Sequence, residues 1–170
     1  ERDARRANDR RARRAQAAGF VFYTGATNTP EAMFVALRTL AEQGSVTMQY
    51  AVARMCRDGT GTASDSTQAA RWFERATTGG HWLAPAELAM LHLYGQGVPC
   101  DPAAALRIVE QAAASGSVPA ISVLGWFYEA GAGVPRDLAK ALGYHRKAAE
   151  LGDDYDRVRV AEYLLAGHGA

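Results

Sequence analysis

The chain has 170 residues, 48% of them hydrophobic and 22% charged, with a formal net charge of +1. That is enough apolar material for a packed core, and it excludes a disordered, highly charged chain. Two cysteines exclude a disulfide framework, and no apolar run approaches the roughly 20 residues that a membrane-spanning helix needs.

Residues 1–14, ERDARRANDRRARR, hold seven arginines against three acids, so near-neutrality overall conceals a basic end on a mildly acidic remainder. Such an end suits nucleic acid or an anionic membrane surface, or equally an Arg/Ala-rich helix that solvates the end of the fold. No aromatics interleave the arginines and no base-reading motif follows, which argues against nucleic acid. The chain begins at Glu1 rather than Met, implying that its authentic start was removed, so the lack of a leader carries little weight.

From residue 44 onward the chain repeats itself every 36 residues without a gap: Gly44, Gly80, Gly116, Gly152; Gly61, Gly97, Gly133, Gly169; Asp65, Asp101, Asp137; Ala69, Ala105, Ala141; Ala76, Ala112, Ala148. A fixed period of this length marks a solenoid of helical hairpins. In the first helix of each unit, Val52, Leu88, Leu124 and Val160 share one apolar column. Ala53, Ala89, Gly125 and Ala161 form a small column, and Met55, Leu91, Phe127 and Tyr163 a large one. The helix should end in the turns GTG, GQG and GAG at 59–61, 95–97 and 131–133. The second helix should start on an Asp N-cap, with Pro102 following Asp101 at the favoured first position. Ala141, Tyr144, His145 and Ala148 then make its inward stripe, and Gly152 ends it.

The units are predicted at 45–80, 81–116 and 117–152, flanked by a degenerate repeat at 15–44 and a partial repeat or capping helix at 153–170. In the degenerate unit Ala18-Gly19, Phe22 and Gly25 take the first-helix and turn places. Thr29-Pro30 caps a second helix with Met33, Leu37 and Leu40 inward. In the last unit Asp153 or Asp154 starts a helix containing Val160, Ala161, Tyr163 and Leu164. The chain then stops at Gly167-His168-Gly169, a turn that would lead onward in a longer array.

The pattern resembles the Sel-one-like repeats, relatives of the tetratricopeptide repeats. The resemblance is carried by Leu124-Gly125, Tyr128, Gly131-Ala132-Gly133-Val134, Asp137, Ala141, Tyr144, Ala148-Ala149 and Gly152, and by their counterparts in the two units before. It departs where Tyr128 is replaced by His92 and Cys56, and it covers residues 44–169. It implies an all-α, right-handed superhelical solenoid of αα-hairpins that acts as a scaffold. Some relatives staple each hairpin with regularly spaced cysteines. Cys56 and Cys100 are out of register with each other, so reduced thiols are expected; they fix no compartment, and a cytoplasmic setting is only slightly favoured over a periplasmic or secreted one.

Catalysis finds no support. His81, His92, His145 and His168 are not spaced i, i+4 from one another or from a cysteine, so no metal-ligand pair sits on one helix face. There is no G-x-S-x-G elbow, and no Gly-Lys-Ser/Thr follows the glycine turns. The reading is non-catalytic, with no cofactor and no metal. A concave groove lined by the first helices is the expected site, with Tyr50, Arg54, Arg57, Met90, Leu93, Tyr94, Trp126 and Glu129 as its contact residues. Its middle is apolar and its flank at Arg54 and Arg57 basic, which suits a protein or peptide segment with an apolar anchor and an acid. The competing reading of Met90 and Trp126 is packing between repeats. Two other functions fit the same chain: a self-associating structural module, and a regulatory repeat domain of a larger enzyme or membrane-anchored protein.

Overall fold

The computed structural model describes residues 29–167. The Arg-rich segment, Ala18, Gly19, Phe22, Gly25, His168 and Gly169 lie outside the described residues. Within them there are eight α-helices and no strand: α1 Pro30–Glu42, α2 Val46–Asp58, α3 Ser66–Thr78, α4 Ala84–Tyr94, α5 Pro102–Ala114, α6 Val118–Ala130, α7 Leu138–Glu150 and α8 Asp154–Leu165. Each helix packs against the next, and α4 also touches α6, so first helices of adjacent repeats meet directly.

The local chemistry of each hairpin is repeated almost atom for atom. The carboxylates of Asp65, Asp101 and Asp137 accept from the backbone N–H of Gln68, Ala104 and Lys140 at 2.9, 2.8 and 2.9 Å, capping α3, α5 and α7. Thr29 caps α1 through Ala32 N–H in the same way. A cap of this kind stabilises a helix by about 1 kcal/mol. The backbone N–H of each capping Asp also reaches back to the first helix, to the carbonyls of Cys56, His92 and Tyr128 at 2.7, 2.8 and 2.9 Å. That bond uses only the main chain of the Cys56 position, which explains why three different side chains occupy it.

The second glycine of each turn serves stacking between repeats. A Cβ added at Gly97 would lie 2.2 Å from the Ser66 carbonyl carbon at the start of α3. At Gly61 it would lie 2.0 Å from the Pro30 oxygen, and at Gly133 2.8 Å from Pro102 Cβ. Each turn therefore rests on the first turn of the preceding second helix, at a distance only a hydrogen side chain allows.

The core forms three successive clusters along the array, the first two bridged by half-buried Ile108. Val52, Ala53, Phe73, Ala89, Val109, Ile121 and Phe127 are each at most 1% exposed, and burying a large apolar side chain of this kind contributes about 1.5–3 kcal/mol. In α7 the stripe is as expected at Ala141, His145 and Ala148, with Tyr144 half-buried and stacked on Tyr128. In α1 the inward residues differ from the expectation: Phe34 and Ala41 are buried, while Met33, Leu37 and Leu40 are only half-buried. Phe34 stands one repeat before Ala70, in the column that also holds Leu106 and Leu142. In α8 Tyr163 is buried, but Val160 is half-buried and Ala161 and Leu164 are exposed, because no further helix among the described residues covers that side.

Gly97→Ala is expected to destabilise the protein by more than about 2 kcal/mol, since it combines a backbone clash with φ of +72°. Gly80→Ala, with φ of +85° and open space around it, should cost only the conformational term, about 1–2 kcal/mol. Urea unfolding of the two variants separates close approach from backbone strain.

Candidate functional site on the face of the first helices

Four helices, α2, α4, α6 and α8, supply this face. On α2, Tyr50 lies flat on His81 with ring centroids 4.2 Å apart, meets Phe73 edge-on, and directs its hydroxyl at Glu87 Oε1, 3.4 Å away. Burial first, and then the Glu87 charge, push the Tyr50 phenol above its ordinary pKa. Arg57 donates to Glu87 Oε2 at 2.6 Å and to Asp58 Oδ1 at 2.8 Å. Arg54 is exposed, with no hydrogen bond or ion pair among the described residues.

On α4 and α6 the middle of the face is apolar. Met90, Leu93 and Trp126 are half-buried against the second core cluster, and Trp126 meets Phe127 edge-on at 5.6 Å. Tyr94 stands out at 56% exposure. Glu129, at the end of α6, receives Arg159 of α8, which also donates to Glu162 at 2.6 Å.

The predicted contact residues thus fall into two groups. Arg54, Met90, Leu93, Tyr94 and Trp126 form an accessible strip. Tyr50, Arg57 and Glu129 are committed to the neighbouring repeat. The pairs follow the period with reversed charge: Arg57–Glu87 recurs two repeats on as Glu129–Arg159, and the same positions between them hold Leu93 and Val123. Glu87 and Arg159 were not among the predicted residues. Setting the Arg57 column beside the Glu87 column would have exposed the alternation.

A second group missed in sequence lies behind Glu129. His145 and Asp156 are 1% and 0% exposed, and His145 Nδ1 is 2.5 Å from Asp156 Oδ1. His145 Nε2 points to Glu129 Oε2 at 3.6 Å, and the Tyr163 hydroxyl also engages Glu129. Gly125 makes room for the imidazole, since a Cβ there would lie 2.6 Å from His145 Cε1. The preceding units carry Phe73 and Val109 where His145 stands, and Ala84 and Ala120 where Asp156 stands. Burial alone would raise the Glu129 carboxyl. The Arg159 hydrogen bond and charge, with Tyr163 and His145, outweigh it and hold the group below the usual range. Among the described residues no group of three His, Cys, Asp or Glu side chains is arranged to hold a metal ion. Cys56 is buried and Cys100 exposed, and neither is in a disulfide.

Two outcomes follow for the last repeat. Asp156→Ala should cost about 3 kcal/mol or more, because it strands a buried histidine. The triple variant Gly125→Ala/His145→Val/Asp156→Ala, which installs the residues of the preceding unit, should recover wild-type stability in urea unfolding. The depressed Glu129 group stabilises the fold at neutral pH, and that contribution is lost as pH falls through its folded-state value. The melting-temperature gap between wild type and Glu129→Gln should therefore hold at pH 7 and close in acid, below about pH 4.3.

The Sel1 repeat family model matches residues 46–81, 83–117 and 118–153. No curated protein matches the chain. Among solved structures, a Sel1 repeat protein from Oxalobacter formigenes superposes with a TM-score of 0.78 at 24% identity, over 93% of this chain and 65% of its own. The protective antigen c5321 of uropathogenic Escherichia coli, which displays an SLR fold, gives 0.72 at 23% identity over 89% and 33%. Helicobacter pylori cysteine rich protein B gives 0.57 at 16% over 77% and 97%. At these identities the likeness is one of fold. The chain spans 65% and 33% of the length of the first two. With three matched repeats over more than half its length and an all-helical solenoid built from them, the chain belongs to the Sel1 repeat family, whose members generally serve as protein-interaction scaffolds.

Proposed function

We propose that the protein is a non-catalytic adaptor that holds a segment of a partner protein along the face of its first helices. The observation that carries this reading is the exposed Tyr94 beside half-buried Met90, Leu93 and Trp126, bounded by ion pairs that are already satisfied. Aromatic and Met side chains grouped with an Arg are the usual composition of binding hot spots. Trp126 and Met90 would take the partner's apolar anchor, and the exposed Arg54, which makes no hydrogen bond or ion pair among the described residues, would take an acid beside it. Arg57 contributes indirectly by fixing Glu87 and the spacing of α2 and α4.

A second reading, self-association, is favoured by α8, whose Tyr155, Val158 and Leu165 are 62%, 58% and 89% exposed. Sedimentation distinguishes it: a sedimentation coefficient that rises with concentration supports it, and a constant monomer value removes it.

Pull-down from native lysate with wild type and an Arg54→Glu/Trp126→Ala variant tests the first reading, with circular dichroism confirming that both remain helical. A protein retained by wild type alone is the expected result. Retention should weaken only slightly with salt, because the flanking charges are paired within the chain. Equal retention by both proteins would move the contact away from this face.

A further inference from the structure

Two successive joints between repeats each leave a notch at the edge where the second helices end, and its lining differs between them. At the upstream joint it is walled by Val46, Gln49, Arg71, Glu74 and Arg75. One repeat on, Trp82 stands where Val46 was, Pro85 where Gln49 was and Gln111 where Arg75 was, around a space of about 570 Å³. That volume lies within the roughly 300–1,000 Å³ of small-molecule pockets.

Three features make this second notch chemically distinct. Among the described residues it is lined by no carboxylate, lysine or arginine, and its one titratable residue is His81, whose pKa burial pushes below the ordinary value. Its walls are instead apolar at Pro85, Ile108 and Ala112 and neutral polar at Thr78, Gln111, Ser115 and Ser117. Thr78 and Gln111 can both donate and accept, while the Ser115 and Ser117 hydroxyls already donate to the Gln111 and Trp82 carbonyls and remain acceptors. Trp82 is 61% exposed, although the same position holds half-buried Val46 and Val118 in the sister repeats. An indole left that open adds little to packing. The backbone beneath it is nevertheless fixed, since the Ser117 hydroxyl donates to the Trp82 carbonyl at 2.8 Å.

We infer that this notch binds a neutral carbohydrate, one sugar ring lying on the Trp82 indole with its hydroxyls on Gln111, Thr78 and Ser115. A flat apolar face bordered by neutral groups that donate and accept matches a sugar ring, which has C–H bonds on one face and hydroxyls around its edge. The lack of fixed charge disfavours phosphates, nucleotides and charged peptides. A proline-rich peptide would also stack on an indole, but it brings few hydrogen-bonding groups, and its receptors line a groove with several aromatics.

The test is a ¹H–¹⁵N titration of the whole chain with maltotriose, cellotriose and triacetylchitotriose into the millimolar range. At least one should shift the Trp82 indole N–H and the Gly116 and Ser117 amides saturably. Trp82→Val, which restores the residue of the sister joints, should keep the wild-type circular dichroism and weaken binding about tenfold, equivalent to about 1.4 kcal/mol. Gln111→Arg, carrying the upstream charge, should weaken it as well, and Trp126→Ala should leave it unchanged. The inference is overturned if no trisaccharide moves the Trp82 signal, or if the shifts persist in Trp82→Val. It is equally overturned if only a hexaproline peptide produces them, which would assign the notch to a polyproline segment.

Discussion

The array depends on one steric constraint, the seating of each hairpin turn on the first turn of the preceding second helix. Gly61 against Pro30, Gly97 against Ser66 and Gly133 against Pro102 set the distance and angle at which one repeat joins the next. Because the glycine meets backbone there, or at Gly133 the ring carbon of Pro102 and the backbone behind it, the joint cannot adjust by changing a rotamer. Everything between the joints inherits that spacing. Adjacent first helices come close enough for α4 to touch α6, and side chains about 30 residues apart in sequence come within hydrogen-bonding reach.

Given that spacing, the chain uses different chemistry at equivalent positions. The slot filled by Phe73 and Val109 is filled in the last full repeat by His145, and the small Ala84 and Ala120 give way to Asp156. An imidazole and a carboxylate excluded from water are a poorer source of net stability than the apolar pairs they replace, since their desolvation offsets most of their attraction. What they add is directionality. A His145–Asp156 contact at 2.5 Å is satisfied in one docking of α8 on α7, whereas smooth apolar surfaces tolerate small slips. The exposed outer side of α8 leaves that helix with fewer apolar contacts than its sisters, and a directional lock suits a helix held on one side.

Much of the architecture was legible because its causes are local. An Asp that must cap a helix and a glycine that must take positive φ leave the same mark in every unit, so the period, the turns and the inward stripe of α7 could be read residue by residue. Pairings between columns were not legible in that way. Arg57 taken alone is a surface cation on a helix, and only its distance to Glu87 turns it into a joint between repeats. His145 was placed on the inward stripe correctly, but its partner lies on the next helix in a column that is otherwise alanine. In α1 the divergent unit misled the reading, since Phe34 occupies a column that carries only Ala70 one repeat later. The accessible strip was the clearest part of the candidate site, because Met90, Tyr94 and Trp126 break the polar pattern expected of a solvated helix face.

The reversed ion pairs bear on how such a face would select a partner. With Glu87 holding Arg57 and Arg159 holding Glu129, the charges at both ends are already neutralised by neighbours. A ligand that sought them would have to break a bond inside the scaffold and loosen a joint between repeats. Discrimination would then fall to the apolar middle and to Arg54, whose exposed guanidinium makes no hydrogen bond or ion pair among the described residues. Mutating the paired charges would disturb the spacing of the helices, and so lower affinity without having touched the ligand. Substitutions at Trp126 and Arg54 act on the surface itself, which is why those two positions, and not the more numerous ionic ones, distinguish a binding face from a structural seam.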